Sequence, residues 1–260
     1  ILRRFTTNVP RPCIAEMGGK NPVIVMPTAN LEDATEGVLR SAFGYGGQKC
    51  SACSRAYVHK AIYAPFMEML VEKTMRLKIG DPAQRDVFLG PLINAAAVER
   101  FRKATQRARR EGRVVIGGGA PKDAAFEHGH FVEPTIVDRV PQNSPLFHDE
   151  FFAPFLAVAE IKSLDDGIAL ANDSEYGLTA GIFSELAGEQ DEFFARIEAG
   201  VTYSNRRGGA TTGAWPGVQS FGGWKCSGSS GKGALGPYYV QQFLREQSQT
   251  VVRRPAPPKP

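Results

Sequence analysis

The feature that most constrains the fold is a regular alternation between short apolar segments with strand character and longer segments with helical periodicity. Strands are predicted at 23–26, 55–59, 114–116, 135–137, 155–161, 179–183 and 200–205. Helices are predicted at 30–43, 62–77, 95–111, 164–171 and 191–197, the first of them with Asn30 as its N-cap. Strands that alternate with helices favour a mainly parallel sheet covered by helices, so we expect an α/β fold.

Length and composition narrow the class of protein. The 260 residues are enough for one large domain or two small ones. A net charge of +4, from 31 basic and 27 acidic residues, is too small to argue for nucleic acid or a membrane surface as a partner. No apolar run is long enough to span a membrane, and the first residues do not read as the apolar h-region of a signal peptide. We expect a cytoplasmic protein, or a mitochondrial-matrix protein if the source is eukaryotic.

The four cysteines show neither a metal-site pattern nor a disulfide framework. Their spacings are unrelated, and no histidines cluster with them. We therefore expect reduced thiols and no bound metal. The cysteines are Cys13, Cys50, Cys53 and Cys226.

Cys50 is the first candidate for chemistry. It follows Gly-Gly-Gln-Lys in the tight connection between a predicted helix and a predicted strand, beside a cation and near backbone N–H groups. Such surroundings suit a nucleophilic thiol, whereas the alternative is a small buried hydrophobic residue. Cys53 either packs in the core or has no particular role, and a resolving thiol is a third alternative. Glu16, before two glycines and an apolar strand, is either a functional carboxylate or a surface turn residue.

Five segments, in order along the chain, resemble signatures of the aldehyde dehydrogenase superfamily. Residues 16–20 read Glu-Met-Gly-Gly-Lys and residues 47–50 read Gly-Gln-Lys-Cys, and the 34 positions between Glu16 and Cys50 match the family spacing. The other three segments are 149–154, 171–178 and 220–228. Within the superfamily the chain is most similar to the 1-pyrroline-5-carboxylate dehydrogenases, through residues 48–52, 205–206, 210–214 and 217–219.

The resemblance implies a three-layer α/β/α catalytic domain of an enzyme that oxidises L-glutamate γ-semialdehyde to glutamate in proline catabolism. Cys50 would attack the aldehyde, and loss of hydride to NAD would convert the thiohemiacetal into a thioester, with NADP not excluded. Glu16 would activate the hydrolytic water. Glu150 would bind the nicotinamide ribose, and Phe152 would pack beside the nicotinamide ring.

The resemblance also assigns residues to the substrate. Phe221 would form one wall of the aldehyde pocket. The Ser51 hydroxyl and the backbone of Gly213 and Ala214 would hold the α-carboxylate, since these donors bind an anion without placing a competing charge beside the thiolate. Without the resemblance, Ser51 is equally explained as a capping hydroxyl and Gly213 as a turn glycine.

The resemblance covers only the C-terminal half of the family. We expect a catalytic domain at 1–236 and a C-terminal extension at 237–260, with an oligomerisation strand at 247–252 and a frayed tail. The N-terminal NAD-binding domain has no counterpart in this chain, so we expect the chain alone neither to bind NAD tightly nor to turn over. A homo-oligomer through the C-terminal strand is expected.

Two alternatives to this reading stay open. The chain could belong to an aldehyde dehydrogenase that acts on another small aldehyde. It could also be a non-catalytic oligomerisation fragment, although the presence of Glu16, Cys50 and Glu150 together argues against that.

Overall fold

The protein is built around a twisted sheet of seven strands. The structure, a computed structural model, describes residues 13–208, 218–230 and 232–253. The strand order is β3-β4-β5-β2-β1-β7-β8, and neighbouring strands are parallel except for the antiparallel pair β3–β4 at one edge. The strands are β1 Asn21–Val25, β2 Cys53–His59, β3 Arg113–Ile116, β4 Thr135–Asp138, β5 Phe155–Ile161, β7 Thr179–Phe183 and β8 Val201–Ser204. Two further strands, β6 Tyr176–Gly177 and β9 Trp224–Lys225, form a separate antiparallel pair.

Helices cover both faces of the sheet. They are α1 Leu31–Phe43, α2 Tyr63–Met75, α3 Ala95–Glu111, α4 Pro145–His148, α5 Leu164–Asn172 and α6 Ala187–Arg196. Side-chain oxygens cap several of them: Asn30 accepts from the Asp33 N–H, Asn94 from Ala97 and Ser163 from Asp166. The predicted cap at Asn30 is therefore confirmed, and each bond satisfies a backbone donor that the first helical turn leaves free.

Two hydrophobic cores lie on opposite faces of the sheet. Along β1, Val23 and Val25 point towards α1 and α2, whereas Ile24 points towards α3, α5 and α6. This alternation is the two-residue period of a strand buried on both faces. The expected three-layer α/β/α architecture with a mainly parallel sheet is confirmed.

The sequence-based boundaries differ from the structure in a few places. Helix α6 begins at Ala187 rather than at residue 191, because its first turn carries no apolar periodicity and no side-chain cap. The predicted strand at 247–252 is exposed and has no strand partner among the described residues, so its pairing with another subunit stays a prediction. Within the described ranges, no helix is both long and apolar enough to cross a membrane.

The strand order brings three loops together at the amino ends of three neighbouring strands. Strands β5, β2 and β1 are neighbours, and the segments that lead into their amino ends contain Phe152, Cys50 and Gly19. Open parallel sheets more often bind ligands at the carboxyl ends of their strands. In this protein the candidate residues instead gather at the amino ends of the strands.

Candidate active site

The turn that presents Cys50 has an unusual backbone. After α1 ends at Phe43, Tyr45, Gly46 and Gly47 all have positive φ angles, between 59° and 66°. A side chain rarely adopts this conformation, which suits the glycines and strains Tyr45. Gln48 fastens the turn, since its Oε1 accepts from the Ile93 N–H at 2.9 Å. Cys50 follows half-buried, and its thiol lines an open cleft.

Asn21 fixes the backbone on the far side of Cys50. Its Nδ2 donates to the carbonyl oxygens of Cys50 at 2.7 Å and Ala52 at 2.8 Å, and its Oδ1 accepts from the Thr179 N–H at 2.9 Å. A single buried amide thereby joins the amino ends of β1, β2 and β7. Both N–H donors of the amide and one of its two oxygen lone pairs are used in hydrogen bonds, so the backbone at Cys50 has a defined position.

Gly18 and Gly19 lie between the backbone of Cys50 and the side chain of Glu150. A Cβ atom on Gly19 would sit 2.4 Å from the Cys50 carbonyl oxygen, and one on Gly18 would sit 2.4 Å from Glu150 Oε2. The Gly19 N–H donates to Glu150 Oε1 at 2.9 Å. No larger residue fits at either position without moving one of these groups.

The charge state of the Cys50 thiol depends on burial and on two carboxylates. Burial is the largest influence and raises its pKa, and the charges of Glu150 and Glu16 raise it further. The backbone N–H groups of Cys50 and Ser51 act in the opposite direction by favouring the thiolate. These donors match the expectation that backbone groups point at negative charge on the sulfur, although the thiol pKa is raised on balance.

Glu16 lies on an exposed backbone bridge. It pairs with Gly228, and the next N–H, that of Met17, donates to the Ser227 carbonyl at 3.1 Å. Its side chain is exposed to solvent. The carboxylate is therefore accessible to water and close enough to influence the Cys50 thiol.

The cleft in front of Cys50 has a volume of about 770 Å³. Ser51 is 3% exposed beneath it, and Phe221 is a buried wall that packs with Leu178 beside Cys50. Phe152 projects at the rim, 38% exposed, with a φ of 54°. A bulky residue held in the left-handed region is a strained arrangement of the kind found at ligand sites.

The structure brings most of the predicted site residues together. Cys50, Ser51, Phe152 and Phe221 line one cleft, whereas Glu16 and Glu150 lie close enough for their charges to act on the thiol. Gly213 and Ala214 lie outside the described residues, so their predicted role stays a prediction.

Sequence reasoning missed several residues of the site. One is Asn21, which holds the backbone of Cys50 through a hydrogen bond to its carbonyl oxygen. The others are residues that line the cleft: Tyr45, Lys49 and Phe88. A polar Asn at the start of a fully buried strand was the available signal for Asn21, since a buried amide needs partners. Among the described residues no group of His, Cys, Asp and Glu is placed to hold a metal ion.

Comparison with known proteins identifies the family of this chain. The model of the aldehyde dehydrogenase family matches residues 1–249. A 1-pyrroline-5-carboxylate dehydrogenase from Geobacillus sp. (strain WCH70) is 37% identical over 238 residues, which are 92% of this chain and 44% of the relative. The chain thus spans less than half the length of the curated relatives it matches.

Solved structures show the same relationship. A 1-pyrroline-5-carboxylate dehydrogenase from Thermus with bound NAD is 36% identical, with a TM-score of 0.82, over 89% of this chain and 43% of that chain. Lactaldehyde dehydrogenase from Escherichia coli is 35% identical, with a TM-score of 0.82, over 90% of this chain and 47% of that chain. By sequence and fold, this chain belongs to the aldehyde dehydrogenase family.

Proposed function

We propose that the protein carrying this chain oxidises L-glutamate γ-semialdehyde to glutamate with a nicotinamide cofactor, and that Cys50 is its nucleophile. The observation that carries the proposal is the position of the Cys50 thiol. It faces an open cleft between Ser51 and Phe221, and two carboxylates act on its charge. The 1-pyrroline-5-carboxylate dehydrogenase relatives support the choice of substrate.

Cys50 begins the reaction by adding its sulfur to the aldehyde carbon. The carbonyl oxygen becomes an oxyanion, and the backbone N–H groups of Cys50 and Ser51, which favour negative charge on the sulfur, are candidate donors to it. A bound nicotinamide cofactor would supply the acceptor for the hydride that leaves the thiohemiacetal carbon. A thioester on Cys50 remains.

Glu16 completes the reaction as the general base. Its exposed carboxylate has direct access to water and acts electrostatically on Cys50. It takes a proton from water as the oxygen adds to the thioester carbon, and the Cys50 thiolate leaves. General-base assistance of this kind contributes roughly 10²–10⁴ in rate.

The described residues fit a nicotinamide ribose. Glu150 places its carboxylate on the Gly18–Gly19 backbone, where no Cβ atom intrudes, and its free oxygen can accept from sugar hydroxyls. Phe152 offers an exposed ring at the rim of the cleft. Glu150 would hold the ribose and Phe152 would pack beside the nicotinamide.

Ser51 is the residue that should select the substrate. Its hydroxyl lies next to the nucleophile in the cleft and can donate to a substrate carboxylate, with Gly213 and Ala214 as further donors. The similarity to a lactaldehyde dehydrogenase makes another small aldehyde the second candidate substrate.

Steady-state kinetics with two aldehydes test this proposal. In the protein carrying this chain, Ser51→Ala should raise KM for glutamate semialdehyde by roughly 10- to 100-fold, the loss expected for a hydrogen bond to a charged group. KM for propionaldehyde, which has no carboxylate, should not change. Cys50→Ala should abolish both activities.

Different results would contradict different parts of the proposal. Activity retained by Cys50→Ala would exclude Cys50 as the nucleophile. Equal effects of Ser51→Ala on the two aldehydes would exclude the carboxylate site and favour the second candidate substrate.

A further inference from the structure

Lys20 is a buried cation that the proposed reaction does not use. It is 1% exposed, and its Nζ has no hydrogen-bond partner among the residues that the structure describes. The ammonium lies over the ring of Phe151, 4.4 Å from the centroid. A buried ammonium without hydrogen-bond partners is costly, and this contact is one of the interactions that stabilise it.

Lys20 and Phe151 are the chain neighbours of two residues already in contact. Gly19 donates its N–H to Glu150 Oε1 at 2.9 Å, and the next residue on each side forms the cation–π pair. The segments 19–20 and 150–151 are therefore joined at two adjacent points. We call these two contacts the Glu150 clamp.

The charges around Lys20 make the clamp sensitive to protonation. Burial and the nearby Arg55 lower the pKa of Lys20 to about 7, whereas Asp149, Glu150 and Cys53 act to raise it. Arg55 is itself held in place, since its guanidinium donates to the Lys20 carbonyl at 2.8 Å and to the Ala171 carbonyl at 2.9 Å. The ammonium is thus present below neutral pH and lost as the pH rises above it.

Glu150 depends on few contacts for its position. Burial raises its pKa, and the Gly19 N–H, Lys20 and Arg100 oppose that effect. Arg100 donates to the Phe151 carbonyl at 3.5 Å, so it too acts on this short segment. Removing the Lys20 charge would leave the carboxylate with one short hydrogen bond to the opposite segment.

We infer that Lys20 is a positioning residue: by holding the ring of Phe151 it keeps the Glu150 carboxylate against Gly18 and Gly19, and so sets the affinity for the ribose of the nicotinamide cofactor. This inference rests on the proposed role of Glu150. It predicts that the protein binds the cofactor more tightly when Lys20 is charged than when Lys20 is neutral.

Titration of NADH fluorescence in the protein carrying this chain tests the inference. Lys20→Met removes the charge at similar volume, and Phe151→Leu removes the ring. Each should weaken NADH binding about tenfold, the size expected for a desolvated cation–π contact. The double variant should bind no more weakly than the weaker single variant, because both substitutions remove the same contact.

The pH profile supplies a readout that a merely structural lysine would not move. Wild-type affinity should fall between pH 6 and pH 8 as Lys20 loses its proton, and Lys20→Met should show a flat profile. Lys232 is the matched control, because its ammonium also lies over a ring, 5.4 Å from the Tyr238 centroid, but on an exposed segment. Lys232→Met should leave NADH binding and its pH profile unchanged.

Glu150→Gln separates failure of this inference from failure of the proposed function. If Glu150→Gln leaves NADH affinity unchanged, the proposed ribose contact is wrong and the inference falls with it. If Glu150→Gln weakens binding but Phe151→Leu does not, the clamp alone is wrong. If Lys20→Met does not fold, two other measurements decide the question. An unchanged NADH affinity in Phe151→Leu, together with a wild-type NADH affinity that does not vary with pH, would overturn the inference.

Discussion

At the scale of single residues, the Cys50 thiol is held in its less reactive form. Its pKa is raised by burial first and by the charges of Glu150 and Glu16 next, and two backbone N–H groups compensate only in part. The thiolate is the nucleophile, so the thiol needs either loss of carboxylate charge or a base before it attacks. The Glu150 carboxylate that we propose as the ribose ligand therefore also holds Cys50, the proposed nucleophile, in its protonated form.

Neutralising Glu150 should make Cys50 more reactive at neutral pH. In Glu150→Gln the pKa of Cys50 should fall, and the pH profile of alkylation by iodoacetamide should move to lower pH. Below the thiol pKa, the thiolate fraction changes about tenfold per pH unit, so the labelling rate at pH 7 should rise. The control is Glu68→Gln, which replaces an exposed carboxylate on α2 by a carboxamide and should leave the pH profile of alkylation unchanged. An unmoved profile in Glu150→Gln would contradict this electrostatic account.

Residue chemistry was partly predictable from the sequence. The signature segments pointed to Cys50, Ser51 and Phe221, which line one cleft. The left-handed backbone of Phe152 had no sequence signal, because positive φ angles are expected at glycine and asparagine rather than at a large aromatic residue. The Lys20–Phe151 contact joins segments 131 positions apart, which local patterns do not reveal.

At the scale of elements, local patterns predicted the strands and helices well. Strand β5 has the predicted boundaries, and α3 also begins and ends where periodicity placed it. Strand order is decided by contacts between distant segments, so the meeting of β5, β2 and β1 at one edge did not follow from local patterns. Asn21 is the side chain that makes this edge a single unit.

Asn21→Ala should therefore cost more stability than a typical asparagine substitution. It removes three hydrogen bonds, two of them fully buried, at about 1 kcal/mol each, so the free energy of unfolding in urea should fall by about 3 kcal/mol. Asn30→Ala, which removes only the α1 cap, should cost about 1 kcal/mol. Only Asn21→Ala should also change the rate at which Cys50 is alkylated. Equal losses of stability would mean that Asn21 does not join the strands as proposed.

At the scale of the whole molecule, the described part of the C-terminal segment, residues 247–253, is exposed and pairs with no described strand. Val251 and Val252 are 76% and 85% exposed, and among the described residues no strand pairs with them. Exposed apolar residues in an extended segment favour pairing with a sheet edge of another chain. We propose that residues 247–252 join a second copy of this protein.

Truncation tests this assembly. A chain that ends at residue 246 should be monomeric by light scattering, whereas one that ends at residue 253 should keep the oligomeric state of the 260-residue chain. The second truncation is the control, since it removes only the proline-rich tail. A dimer that survives the first truncation would place the interface elsewhere.

The Gly19–Glu150 hydrogen bond joins residues 131 positions apart, and this has a consequence for the newly made chain. Contacts between such distant residues form late in folding, because a long loop must close first. Cys50 is thus synthesised well before the carboxylate that restrains it and before the sheet edge that buries it. We therefore expect the Cys50 thiol of the nascent chain, which is neither buried nor beside these carboxylates, to be more acidic and more accessible than that of the folded protein.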